Sequence, residues 1–220
     1  MWKLWGIAGV AIGLAWGWAA AQAAPAEVVL AAESCGACHG DGGVSAGPTM
    51  PSLAGQPKAY FVTAMQRFKS GERPSTVMGR LARGYTDAEI DAMGAWFAAR
   101  KPVAASQPLD AALVKRGMQV YFKQCRTCHL DGSLWRQIHQ YRTYEKTCSA
   151  SCHANYGSDT ADEVPLIGGQ WVGYLNAQMD DFRRHRRPMS PRKAKAVDAL
   201  SDQDAAAVAA FYASLKELQR

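Results

Sequence analysis

The 220 residues are 48% hydrophobic and 20% charged, which excludes disordered and collagen-like sequence and leaves room for one large or two small globular units. Twenty-five Lys and Arg against nineteen Asp and Glu give a net charge of +6, well short of the basic footprint of a nucleic-acid binder, and no stacking platform is present. The six Cys fall into three compact groups, each ending in a His, and the other two of the five His, His139 and His185, lie outside them.

Residues 1–24 place Lys3 before an apolar run, Leu4 to Ala21, and end in Ala21-Gln22-Ala23, small residues that a signal peptidase accepts. This predicts a cleaved secretory signal peptide and export to the periplasm. A retained membrane anchor is the alternative, since the run approaches the ~20 residues that span a bilayer. The Ala-rich tail and Pro25 favour cleavage, and no later segment reads as a membrane span.

A short helix, Pro25 to Ser34, leads into Cys35-Gly-Ala-Cys38-His39. Ala59 to Phe68 carries apolar residues at 60, 61, 64, 65 and 68, a helical stripe. Thr86 with Glu89 three residues on reads as a capping box opening a helix from Asp87 to Ala99, which ends in Trp96-Phe97. Lys101 to Pro108 is a linker. Beyond it, Gly117, Tyr121 and Cys125 recur every four residues on a helix entering Cys125-Arg-Thr-Cys128-His129. Ser201 with Asp204 caps the last helix, Asp202 to Leu215, which ends in Phe211-Tyr212.

The second half repeats the first. Pro51-Ser-Leu-Ala-Gly-Gln56 is echoed by Pro165-Leu-Ile-Gly-Gly-Gln170, and from that anchor Tyr60 falls on Tyr174, Met65 on Met179, Phe68 on Phe182 and Arg73-Pro74 on Arg187-Pro188. An internal duplication is the reading. It gives two units, 25–104 and 105–220, and the fold class is all-α.

C-x-x-C-H has a chemical reason. Two thiols one helical turn apart can each add to a vinyl group of one haem, and the adjoining His is held beneath the macrocycle as an axial ligand. A redox dithiol or a zinc half-site would leave the His accidental, and two copies in matching halves favour haem c. Cys35, Cys38, Cys125 and Cys128 are therefore the attachment residues, and His39 and His129 the proximal ligands. Met78 and Met189, each expected in a loop between the middle and terminal helices, are the distal candidates, because a soft thioether stabilises ferrous iron. His185 is the rival to Met189. Met65 and Met179 read as core, and Met50, Met93 and Met118 as packing residues. Trp96, Trp135 and Trp171 are expected to fill core or cover haem, with a subunit-interface role open for Trp171.

The halves differ in one insertion, around 130–155. Between His129 and Gly169 lie 39 residues, against 15 between His39 and Gly55. The extra segment carries Cys148-Ser-Ala-Ser-Cys152-His153, one residue longer than the haem motif. A third haem on Cys148, Cys152 and His153 (with His139 as a local second ligand), a disulfide or thiol pair, and replacement of Cys125/Cys128 as the second haem site all stay open. From Arg183 to Lys195 seven basic residues occur without an acidic one, which reads as a solvated loop, as charge for haem propionates, or as a docking rim for an acidic redox partner.

The helix bearing Gly117, Tyr121 and Cys125 resembles the N-terminal helix of class I c-type cytochromes, so the expected architecture is two tandem class I cytochrome c domains. Ser45-Ala-Gly-Pro48, Ser52-Leu-Ala-Gly-Gln56, Phe68-Lys-Ser-Gly-Glu-Arg-Pro-Ser-Thr-Val-Met78-Gly-Arg and Asp181-Phe-Arg-Arg-His-Arg-Arg-Pro-Met189 further resemble the di-haem cytochrome subunit of flavocytochrome c sulfide dehydrogenase. That resemblance implies a periplasmic electron-transfer subunit rather than the catalytic one. An FAD-containing flavoprotein would oxidise sulfide and pass electrons through this chain to a soluble c-type cytochrome or other redox acceptor. Two alternatives remain: a stand-alone di-haem carrier serving a terminal oxidase or reductase, and a tri-haem sulfur-compound oxidoreductase.

Overall fold

Helix ends follow the capping residues. Thr86 Oγ1 accepts from the Glu89 amide at 3.2 Å while the Glu89 carboxylate accepts from the Thr86 amide at 2.7 Å, closing the expected box. Ser201 caps the last helix through the Asp204 amide at 3.1 Å, but the Asp204 carboxylate turns to Arg116 at 2.8 Å. Only half of that box is formed, and its acid ties two helices together instead.

The structure is a computed structural model that describes residues 26–125 and 165–216. Its elements in order are α1 (Ala26–Ser34), α2 (Gly36–His39), a 3-10 turn (Asp41–Gly43), α3 (Lys58–Ser70), α4 (Met78–Ala82), α5 (Asp87–Ala98), α6 (Ala111–Val120), a π-helical turn (Tyr121–Cys125), α7 (Val172–Arg183), α8 (Pro191–Asp198) and α9 (Asp202–Ser214). No strand occurs among the described residues, in agreement with the all-α reading. The signal segment 1–24, the insertion 130–155, and Cys128, His129, Trp135, His139, Cys148, Cys152 and His153 lie outside the described residues, as does the Cys125 side chain. No described helix is long and apolar enough to cross a membrane.

Two cores form, one per half. In the first, Phe61 and Met65 of α3 meet Ile90, Met93, Trp96 and Phe97 of α5 and Ala32 of α1. In the second, Tyr121 sits fully buried among Leu175 of α7 and Val208, Phe211 and Tyr212 of α9. The terminal aromatic pairs serve both cores alike: Phe97 packs on Phe61 at 5.3 Å, and Phe211 on Tyr121 at 5.2 Å. Contacts of this kind add ~0.5–1.5 kcal/mol beyond area burial. Met65 and Met93 are core, as expected, and Met118 and Met179 pack against the second core. Met50 is not a packing residue: it is 40% exposed, because the turn after Pro48 carries it to the surface.

The duplication is visible atom by atom. Gly55 N donates to Phe97 O at 2.9 Å, and Gly169 N to Tyr212 O at 2.8 Å. Both glycines have positive φ, and a Cβ on either would press into the linker, at Pro102 and Ala104. The linker is accordingly bound rather than free. Ala105 N donates to Gly169 O at 2.7 Å, and the Gln107 side chain bridges Gln170 O and Val172 N at 3.0 and 2.9 Å.

Candidate functional site

The first site is assembled on α1 and α2. Cys35 closes α1, half-buried with its thiol 3.6 Å from the Ala31 carbonyl, and burial raises its pKa above the ordinary thiol value. Cys38 follows one turn later, exposed. His39 ends α2 and is 7% exposed. Its Nδ1 lies 2.8 Å from the Pro51 carbonyl, which can only accept, so Nδ1 carries the hydrogen and Nε2 keeps its lone pair. Burial lowers the imidazole pKa, outweighing the opposing Pro51 bond, so the ring is neutral at pH 7. A neutral imidazole anchored through one nitrogen is the form that ligates a metal through the other.

Met78 opens α4, a helix not foreseen from the sequence, and packs with Cys35 against the first core. On either side of it Val77 and Leu81 are 51% and 49% exposed, apolar surface of the kind a macrocycle covers. Met189 precedes α8, whose start, Ser190-Pro191, carries an N-cap with Pro at the first position, a signal that could have been read. The rival His185 has a left-handed backbone, φ 52°, and sits at the surface with Nε2 3.1 Å from an Asp198 carboxylate oxygen.

Between the halves runs a seam that the sequence reading did not foresee, although its residues are those that defined the repeat. The two glutamines trade places. Gln56 grips both backbone groups of Leu166, at 2.8 and 3.0 Å, and Gln170 grips both backbone groups of Ser52, at 2.9 and 2.8 Å. Leu166 and Ser52 are themselves equivalent positions in the repeat, so the contact is isologous within one chain. Trp171 lies in this seam between the two halves of one chain: its indole N–H donates to Ser45 O at 3.0 Å, and Tyr174 N donates to Pro48 O at 3.0 Å. Trp96 is core, with Arg100 stacked 3.8 Å from its ring.

The repeated Arg and Tyr also meet here. Arg73, buried, donates to Tyr60 and Tyr174 at 3.3 Å each and to Gln178 at 2.9 Å; Arg187 donates to Gln178 at 2.6 Å. Burial pushes the Tyr174 hydroxyl up to about 12. Burial first, and then the like charge of Arg73, lowers the Arg187 guanidinium. Among the described residues no carboxylate pairs with either guanidinium. Two largely buried cations without a carboxylate partner suit the propionates of haem. Together with the thiols and the neutral His39, the residues present fit the group.

Within the run from Arg183 to Lys195, three arginines are paired with carboxylates. Arg183 pairs with Asp202 at 2.6 Å, Arg184 with Asp180 at 2.7 Å, and Arg186 with Asp180 and Asp181 at 2.7 and 2.8 Å. Arg187 is committed to the seam and lies over Phe182, as Lys193 does. The acids paired with Arg183, Arg184 and Arg186 stand just outside the run in sequence but beside it in space.

No protein-family model matches the chain. A cytochrome c4 from Azotobacter vinelandii is 30% identical over 196 residues, covering 82% of this chain and 84% of the relative. A thiosulfate dehydrogenase electron acceptor from Stutzerimonas stutzeri is 28% identical over 97% of this chain and 94% of its own length. The cytochrome subunit of sulfide dehydrogenase from Chlorobaculum tepidum is 47% identical, but over 64 residues, 29% of this chain and 57% of that subunit. Among solved structures, reduced cytochrome c4 from Pseudomonas stutzeri superposes with a TM-score of 0.64 at 26% identity, covering 88% of this chain and all of that one. The resemblance to the sulfide dehydrogenase subunit is thus confined to part of the chain, while the di-haem architecture runs through most of it. The chain belongs to the cytochrome c4 family, di-haem electron carriers of two tandem class I cytochrome c domains with two covalently attached haem c groups.

Proposed function

We propose that this chain is an exported periplasmic electron carrier whose domains, 25–104 and 105–220, each hold one haem c. Cys35 and Cys38 with His39 and Met78 serve the first, and Cys125 and Cys128 with His129 and Met189 serve the second. Its donor is a sulfur-compound dehydrogenase, and Cys148, Cys152 and His153 are structural. The observation that carries this reading is His39, neutral, buried and held by Pro51 with its Nε2 lone pair available, one residue after the second of two thiols.

Haem supplies the one-electron ferric/ferrous couple. The chain's residues do the rest. Pro51 fixes the tautomer and ring orientation of His39. The Met78 thioether, a soft donor, favours the reduced state. The core around Phe61, Met65 and Phe97 would offer the haem an apolar wall, and Arg73 and Arg187 would supply positive charge to its propionates in a setting where isolated carboxylates would be costly.

The flavin-containing sulfide dehydrogenase is the first donor proposed, supported by the 47% identity of the matched 64 residues to a cytochrome subunit of that enzyme. A thiosulfate dehydrogenase is the second, supported by a relative aligned along 97% of the chain. The test mixes the purified oxidised two-haem protein with each enzyme and its substrate and follows the haem absorbance. Rapid reduction by sulfide plus the flavoprotein supports the first reading. Reduction by thiosulfate plus its dehydrogenase alone transfers the assignment to the second, and reduction by neither sinks both donors.

A further inference from the structure

One peptide unit joins the two domains at the metal ligand. The Pro51 carbonyl accepts from His39 Nδ1 at 2.8 Å, and the N–H of that same peptide, on Ser52, donates to Gln170 Oε1 of the second domain at 2.8 Å. Gln170 Nε2 donates to Ser52 O at 2.9 Å, so the amide is held from both sides and cannot slide along the strand of backbone it grips. His39, Ser52 and Gln170 are all buried, where hydrogen bonds are strong and polarise one another. An amide whose N–H is engaged carries more negative charge on its oxygen and is the better acceptor.

We propose that Gln170 is a positioning residue for the first haem's proximal ligand: through the Pro51–Ser52 peptide it strengthens the His39 hydrogen bond and lowers that haem's reduction potential. The proposal rests on the reading of His39 as an axial ligand. A stronger Nδ1–H bond gives the imidazole more anionic character, which favours ferric iron. The first haem's potential then depends on this one contact from the second domain. Gln56 provides the internal control. It makes the equivalent pair of bonds, to Leu166 at 2.8 and 3.0 Å, and reaches only Ser52's own carbonyl, in the next peptide, at 3.5 Å.

The test uses the full two-haem protein, with ¹⁵N-histidine NMR of the ferrous state reporting the His39 Nδ1–H and a redox titration giving each haem's potential. Gln170→Met should shift the Nδ1–H upfield and raise the first haem's potential. Gln170→Glu keeps an acceptor for the Ser52 amide and should shift both in the opposite sense, so a partly loosened seam cannot mimic the pair of results. Gln56→Met should leave both first-haem signals at their wild-type values. An unchanged Nδ1–H in Gln170→Met, or the same shift in Gln56→Met, overturns the proposal while leaving the ligand assignment standing. His39 ring protons without the ring-current shift of a haem would overturn both.

Discussion

The two domains solve one packing problem in different ways. In the second, α6 crosses α9 so closely that a Cβ on Gly117 would overlap the Ala207 carbonyl, and α9 offers a mostly small face: Ala205, Ala207, Ala209, Ala210 and Ala213 are all buried. In the first, the residue eight before the first cysteine is Glu27, not glycine. There α5 is bulkier at two positions. Ile90 stands where the second domain has Ala205, and Met93 where it has Val208. A glycine on the leading helix lets it come in tightly against small side chains; where that glycine is absent, larger side chains fill the space. The fold tolerates either so long as the core is filled.

The contrast can be broken from either side. Gly117→Val should cost about 3 kcal/mol or more, since backbone stands where the side chain would go. Thermal unfolding followed by circular dichroism should show the second domain melting early with the first domain's haem spectrum intact. Ile90→Ala should destabilise the first domain by about 2–4 kcal/mol, the usual cost of a buried aliphatic cavity. Ala205→Ile should fail to stabilise the second, and a gain in its melting temperature would refute the idea that the two cores are filled by different means.

Smaller effects sharpen what the domains share. Arg73→Met removes bonds to Tyr60, Tyr174 and Gln178 and should weaken docking by about 1–3 kcal/mol. The loss should be insensitive to salt because the group is buried, and urea titration at two ionic strengths checks this. The least effect is expected at Asp204, whose carboxyl is held below its ordinary value first by the Arg116 hydrogen bond and then by Ser201. A lowered folded-state pKa contributes stability above about pH 4, the unfolded value, and loses it as pH falls through the folded value. Wild type should therefore melt above Asp204→Asn at pH 7, with the gap closing toward pH 2. A gap constant with pH would contradict the pairing.

Much of this architecture could be read from local rules. Thr86 and Ser201 announced two helices, and the Gly-Gln turns and matched Tyr, Met, Phe and Arg announced the duplication. His39 was legible because C-x-x-C-H is a covalent constraint on a single helical turn. The seam was not, although Gln56, Gln170, Tyr60 and Arg73 had all been aligned, since a repeat shows that two residues are equivalent and not that they touch. The basic run was legible only in part for the opposite reason: counting charge within 183–195 leaves out Asp180, Asp181 and Asp202, which a helix and a turn bring alongside three of its arginines. Both failures concern partners distant in sequence or just past a chosen window.

The most direct test of the account is the intact mass of the exported protein, followed by peptide mapping of its haem-bearing cysteines. Two haems, one on Cys35 and Cys38 and one on Cys125 and Cys128, with Cys148 and Cys152 unmodified by haem, is the predicted result. A haem on the Cys148–Cys152 pair, or none on Cys35 and Cys38, would contradict it.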